Sequence, residues 1–344
     1  MGRQDFLSKL GLFASFFALG IIALGAFTRL IDAGLGCPDW PGCYGMLTVP
    51  VSEMAREAAA TQYPNAHLVA YKAWTEMIHR YFVGGGLSIF ILAIVTKIFM
   101  QRECRARKNV IAALLLLLLL VYQVLLGRLT VTLKLLPIIV SQHLLGGYFI
   151  LSMLWLIYLM NRPIKKKLRS VYSIKKKGKF VPLLVFACIG LFLLILQIML
   201  GAWTSTNYAS LSCPDFPFCV NDQAMQFEFK RAFDLFAPIG INYEGGVLSA
   251  ILRKTIQMSH RFGAVVLTTY LFIFSTIAMS KLKKQVVLVQ FLYLILGLLC
   301  IQLCLGISNV IFKLPLVTAL AHTIVAAILL LAMITFIFKL VRSE

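Results

Sequence analysis

The sequence predicts an all-α membrane protein, with eight transmembrane helices arranged as two tandem, pseudo-two-fold-related four-helix bundles. Three observations carry this. Of the 344 residues, 60% are hydrophobic and 13% charged, where a soluble domain carries about a quarter charged residues. Eight apolar runs reach the length of about 18 residues that a bilayer crossing needs. Four blocks of the first half recur in the second at a nearly constant offset.

The expected spans are 11–30, 76–100, 109–129, 138–160, 180–203, 256–279, 286–309 and 317–339. The first run is long for a cleaved signal, and no clear small-residue cleavage site follows it, so it reads as a retained span. With the N-terminus in the cytoplasm, the inner segments are 1–10, 97–108, 161–179, 280–284 and 339–344. They hold 21 of the 33 Lys and Arg but only Asp5, Glu103 and Glu344 among the acids. This is the positive-inside pattern, and it places both termini in the cytoplasm. It also accounts for the formal charge of +20 without nucleic acid as a partner. The run KKKLRSVYSIKKKGK (165–179) is then a cytoplasmic loop. The chain divides into an N-terminal unit (1–160), a basic linker (161–179) and a C-terminal unit (180–344).

GAFTRLIDAGLGCPDWPGC (25–43) aligns with GAWTSTNYASLSCPDFPFC (201–219) without a gap. EMIHRYFVG (76–84) matches QMSHRFGAV (257–265), and QVLLGRLTV (123–131) matches QLCLGISNV (302–310). SQHLLGG (141–147) matches LAHTIVA (320–326). Each unit holds an even number of spans, so the copies share one orientation, as in a parallel repeat.

Four of the five histidines belong to the repeat: His79 and His143 in the first unit, His260 and His322 in the second. Each lies near the outer start of its helix. Ionisable groups at membrane depth point to function, and paired histidines on neighbouring bundle helices suit the two axial positions of a haem iron. The plain alternative is helix-end histidines hydrogen-bonded in the interface. Zinc or copper would need ligands beyond the pair, and neither half supplies a complete set. His67 has no repeat partner and reads as a solvated loop residue.

Arg80 and Arg261 follow two of these histidines directly. Guanidinium groups there suit haem propionates or simple snorkelling. The halves also differ. Glu76 lies one turn before His79, on the same face, where the second half has Gln257. Arg29 corresponds to Ser205, and Arg128 to Ile307. A carboxylate beside such a site can move protons or stabilise cationic intermediates. The alternative is an acid at a helix start answering the helix dipole. The first half therefore reads as catalytic, and the second as a structural or electron-transfer haem site.

Both cysteine loops, CPDWPGC and CPDFPFC, fall on the outer face, where disulfides persist. Prolines pre-bend each loop, so a closed ring is compatible with the spacing. Such a ring is either a staple holding a lid or a thiol pair that exchanges electrons. Trp40 and Phe216 share a loop position and either anchor the lid or cover a porphyrin edge. Cys104, Cys188, Cys300 and Cys304 lack repeat partners; the last two, one turn apart in an apolar helix, read as packing residues.

The two four-helix units, the ExxHR stretch from Glu76 to Arg80, the four repeated histidines and the GLGCPDWPGC loop resemble haem A synthase, in its cysteine-containing bacterial type. The resemblance covers nearly the whole chain. It implies an oxidoreductase that converts the C8 methyl of haem O to a formyl group by two hydroxylations and loss of water. It implies that His79 and His143 hold the substrate haem, that His260 and His322 ligate a haem b cofactor, and that Glu76 is the essential carboxylate. It implies the pairs Cys37–Cys43 and Cys213–Cys219. Arg29, Arg80, Arg128 and Arg261 are the candidate propionate contacts. The implied partners are molecular oxygen, an electron donor, membrane lipid, and haem O synthase or oxidase assembly factors, with a homo-oligomer also open. The implied location is the bacterial cytoplasmic membrane. TSTNYASLSC in the second half departs from the pattern, lacking the basic residue and glycines of the first. The long outer loop 204–255, with its apolar FDLFAPIGI, either covers the cofactor site or meets a partner.

Three rivals stand beside this. A dihaem b-type, quinone-linked electron carrier explains the histidines equally well but not Glu76. A transporter leaves the paired histidines unexplained. A membrane thiol–disulfide enzyme leaves them idle.

Overall fold

The computed structural model describes residues 3–163, 181–219 and 226–343. Nearly all of the basic linker lies outside them. Among the described residues, eight helical segments are long and apolar enough to cross a membrane. This makes the chain a multi-pass helical membrane protein.

The elements in chain order are α1 (Arg3–Leu30), α2 (Glu53–Gln62), α3 (Ala70–Tyr81) and α4 (Ser88–Met100), then α5 (Arg107–Thr132) and α6 (Pro137–Asn161). They continue with α7 (Val181–Thr206), the short α8 (Phe229–Ala232), α9 (Ala250–Lys281), α10 (Val286–Ile311) and α11 (Leu316–Ser343). A π-helical turn, Phe82–Leu87, joins α3 to α4 within one span. Pro137 opens α6, where its missing N–H costs no helix bond. Ser52 caps α2 by accepting from Ala55 N–H at 3.2 Å.

The spans containing α3 and α9 begin about six residues earlier than the apolar runs suggest. The extra turns are amphipathic and still pack inward, burying Ala73 and Glu76 in α3 and Leu252 and Thr255 in α9. Hydropathy alone marks the lipid-facing length and misses such extensions.

Within the first half α6 packs on α1 and α5; within the second, α7 packs on α9 and α10 on α11. Across the halves α1 meets α11, and α6 meets both α7 and α11. Lipid is as apolar as a leucine core, so helix association depends on close packing and interhelical hydrogen bonds. Fully buried Ala14, Ala113, Ala187, Ala278 and Ala327 let backbones approach. At Gly11 an added Cβ would lie 3.1 Å from the Tyr158 backbone nitrogen. One apolar core, from Leu7 to Leu340, runs through both halves. Tyr148 Oη donates to the Thr323 carbonyl at 2.9 Å, and Trp155 Nε1 to Thr335 Oγ1 at 2.8 Å, both across the seam.

The turns after α1 and α7 close alike. Asp32 and Tyr208 have φ of 51° and 53°, and the next residues, Ala33 and Ala209, donate to the Thr28 and Thr204 carbonyls at 2.9 Å. The turns after α5 and α10 also match, with Lys134–Leu135 and Lys313–Leu314 at positive φ. These are left-handed helix stops of the kind that satisfy the last free carbonyls.

Candidate functional site: two imidazole pairs under disulfide loops

α3 and α6 carry His79 and His143; α9 and α11 carry His260 and His322. Each ring packs against a glycine of a neighbouring helix. A Cβ at Gly25 would lie 3.0 Å from His79 Cε1, and one at Gly201 3.1 Å from His260 Cε1. Gly127 stands in the same way to His143 at 3.4 Å, and Gly306 to His322 at 3.2 Å. The Nδ1 atoms of His79, His143 and His322 are shielded and have no hydrogen-bond partner. The His322 ring has a backbone partner at Gln302. No group of three or more His, Cys, Asp or Glu suited to a bare metal ion occurs among the described residues. His67 is exposed.

Each pair lies beside a disulfide loop. Cys37–Cys43 and Cys213–Cys219 are bonded, with Cα atoms 4.8 and 5.4 Å apart. Both loops hold a cis X-Pro bond at the same position, Trp40–Pro41 and Phe216–Pro217. Glu76, only 4% exposed, ties the first loop to α3. Its Oε2 accepts from Cys37 N–H at 2.9 Å, and its Oε1 from Arg80 Nη2 at 2.5 Å. Gln257 does the same work with an amide. Its Oε1 accepts from Cys213 N–H at 2.5 Å, and its Nε2 donates to the Ser210 carbonyl at 2.6 Å. A neutral side chain therefore suffices to hold such a loop, and holding the loop does not explain the carboxylate.

The arginines beside the histidines clamp the loops. Arg80 Nη1 donates to the carbonyls of Asp39 (2.9 Å), Pro41 (3.3 Å) and Gly42. Arg261 donates to the carbonyls of Asp215 (2.8 Å), Pro217 (3.0 Å) and Cys213 (2.7 Å). Both arginines, expected from the sequence as propionate contacts, thus also hold the loops, and Arg80 Nη2 is paired with Glu76. Arg29 is likewise engaged. It pairs with Asp32 at 3.1 Å, donates to the Ser205 carbonyl at 2.5 Å, and lies 3.9 Å over the Tyr208 ring. Tyr208 in turn donates to Asp32 at 2.9 Å. Arg128 is exposed and makes no side-chain hydrogen bond or ion pair among the described residues.

Outside the spans, Tyr44 of the first loop has its hydroxyl pKa raised, first by burial and then by the charges of Asp39 and Glu76. The outer loop of the second half reaches the first: Tyr243 N–H donates to the Lys134 carbonyl at 3.0 Å and packs on Leu135 and Leu136. Cys188, Cys300 and Cys304 are exposed on helix surfaces, and Cys104 is buried.

Sequence reasoning passed over two features. The π-turn follows His79 and Arg80 in the first half alone; its GGG run was the available signal. Gln197, a polar residue inside the apolar α7, donates from its amide nitrogen to His260 Nδ1 at 3.0 Å. A lone amide in a greasy span was the signal there.

Eight apolar spans carrying two pairs of histidines define a polytopic helical membrane protein. The particular family follows from comparison. Residues 8–334 match the model of the COX15-CtaA family, described as cytochrome oxidase assembly protein, and the chain belongs to that family. A protein of Shewanella oneidensis named Heme A synthase is 41% identical over 319 residues, which cover 93% of this chain and 92% of the relative. Proteins of the same name from Bacillus pumilus and Rickettsia prowazekii are 23% and 25% identical, over 92% and 98% of this chain and 89% and 99% of their own lengths.

Proposed function

We propose that this chain makes haem A, oxidising the C8 methyl of haem O to a formyl group inside the membrane. The observation that carries the reading is the asymmetry at matched positions: one imidazole pair has the Glu76 carboxylate beside it, and the other has Gln257. Family membership and the 41% identical Heme A synthase support the same reading.

The residues fit haem in both sites. The imidazoles come in twos, and His79 and His143 each have a buried ring nitrogen that no protein group satisfies. A porphyrin supplies the other four positions around its iron, so a pair suffices. In this reading His79 and His143 hold the substrate haem O, and His260 and His322 hold haem b. When bound, the haem supplies the oxidising chemistry that a methyl C–H requires.

The chain supplies the rest. The histidine pairs would hold each haem between two helices, α3 and α6 in one half and α9 and α11 in the other. Glu76 Oε1, in its ion pair with Arg80, is the acceptor or donor for protons released and taken up as the methyl is oxidised. The disulfide loop holds that carboxylate through Cys37 N–H, so its position is preset. Arg128, exposed near the outer end of α5, is a propionate candidate. Open faces toward lipid admit a substrate with a long apolar tail.

The same reading makes the two units (1–160 and 180–344) duplicated copies related by a pseudo-two-fold axis. Contacts between equivalent residues support this: Arg29 meets Ser205 and Asp32 meets Tyr208, as across an isologous interface. It also places the chain in the bacterial cytoplasmic membrane with both termini inside. Molecular oxygen and a membrane electron donor are its co-reactants.

The test is chemical. The protein is produced in a host supplied with haem O, and the extracted haems are weighed by mass spectrometry. Haem A or its hydroxylated precursor is the expected product. Unchanged haem O beside haem b would instead make the protein a dihaem electron carrier.

A further inference from the structure

We propose that Gln197 is the positioning residue of His260, setting the orientation of that imidazole and so the electronic character of the second site. The inference rests on the reading of His260 and His322 as iron ligands.

Gln197 belongs to α7, and no other reading assigns it a role. Its Nε2 lies 3.0 Å from His260 Nδ1 and donates to the His260 carbonyl at 2.9 Å. Two bonds to one residue fix the amide against both the ring and the backbone. The helix makes room for it: a Cβ on Gly263 would collide with Gln197 Oε1. Oε1 is buried and has no partner. As placed, the amide nitrogen donates to Nδ1; turned over, Oε1 would accept from an Nδ1–H and give up the bond to the His260 carbonyl.

No side-chain amide reaches the other three imidazoles. The Nδ1 atoms of His79 and His143 have no partner, and His322 has only the Gln302 backbone. Gln123 reaches the His143 carbonyl at 2.8 Å but not its ring. The repeat places Ile21, buried and apolar, at the position equivalent to Gln197. The contact thus occurs at one site of four, in the half without Glu76. A partner on the far ring nitrogen of a metal-ligating histidine orients the ring and changes its basicity. A carrier site needs a defined potential, whereas a substrate site must release its occupant. Gln197 supplies that definition where the reading puts the resident haem b.

The experiment compares the purified haem-loaded protein with Gln197→Leu, Gln197→Glu and His260→Ala. The readouts are the low-spin electron paramagnetic resonance signals and the midpoint potentials of the two haems. Gln197→Leu is expected to keep both haems but shift one low-spin signal and raise its potential. Gln197→Glu, with a carboxylate facing Nδ1, is expected to lower the same potential. Wild-type signals and potentials in both Gln197 variants would overturn the proposal. His260→Ala separates this failure from that of the parent reading. It should abolish the signal that Gln197 controls. If it leaves both signals intact, the ligand assignment itself falls, and this inference with it.

Discussion

The two halves share a plan and differ at a handful of buried atoms. Each has an imidazole pair packed on glycines, a disulfide loop with a cis proline, and an arginine clamping that loop. The first half alone has a carboxylate, Glu76, and a π-turn after the histidine. The second alone has an amide on an imidazole nitrogen. The common features position a ligand, and the unshared ones adjust what happens to it. The second half also acts as an internal control. Gln257 shows that the loop needs only a hydrogen-bond acceptor at this position, so the charge of Glu76 calls for another explanation.

The comparison can be tested from the largest expected effect down. Arg80→Met removes the partner of a buried carboxylate and should destabilise the protein by about 3–5 kcal/mol. Arg261→Met leaves only carbonyls unsatisfied and should cost about 1–3 kcal/mol. Thermal unfolding in detergent measures both, and equal losses would remove the electrostatic distinction between the halves. Glu76→Gln copies the second half into the first. It should keep fold and haem but lower formyl production about 100-fold or more, equivalent to about 2.7 kcal/mol of barrier. Wild-type turnover in that variant would make Glu76 a loop clamp like Gln257.

Cys37→Ser and Cys213→Ser each open a small ring and should lower stability by similar amounts, about 2–3 kcal/mol. If Cys37→Ser kept full stability and lost turnover, the first disulfide would be a redox participant instead of a staple. Gly25→Ala and Gly201→Ala should have the smallest effect. Each new methyl presses on a histidine Cε1 at 3.0–3.1 Å, so a shift of the Soret band without loss of haem is expected in both. A shift in one variant alone would show that the two rings are seated differently.

The spans, the repeat and the four histidines were legible because each leaves a one-dimensional trace: hydropathy, a constant offset, and ionisable residues in apolar sequence. The cysteine pairs were legible as a spacing, and the structure joins them within each loop. The work of the arginines on the loops was not legible: their position beside the histidines pointed only to an anionic ligand, while the loop carbonyls they bind come from 38 to 48 residues away. The partners of Arg29 were hidden for the same reason, since they include a carbonyl 176 residues distant.

Composition and spacing alone determined that this chain has eight helices apolar enough to cross a membrane and four sequence blocks that recur, each histidine pair member in a recurring block. These follow from local chemistry, because lipid demands apolar helices and repetition survives as spacing. Only the tertiary structure decided which atoms those helices bring together: Glu76 with Cys37, Arg80 with the loop, Gln197 with His260. Hydrogen bonds of 2.5–3 Å depend on how separate helices seat against one another. That is fixed by packing across the whole bundle, which no short stretch of sequence encodes.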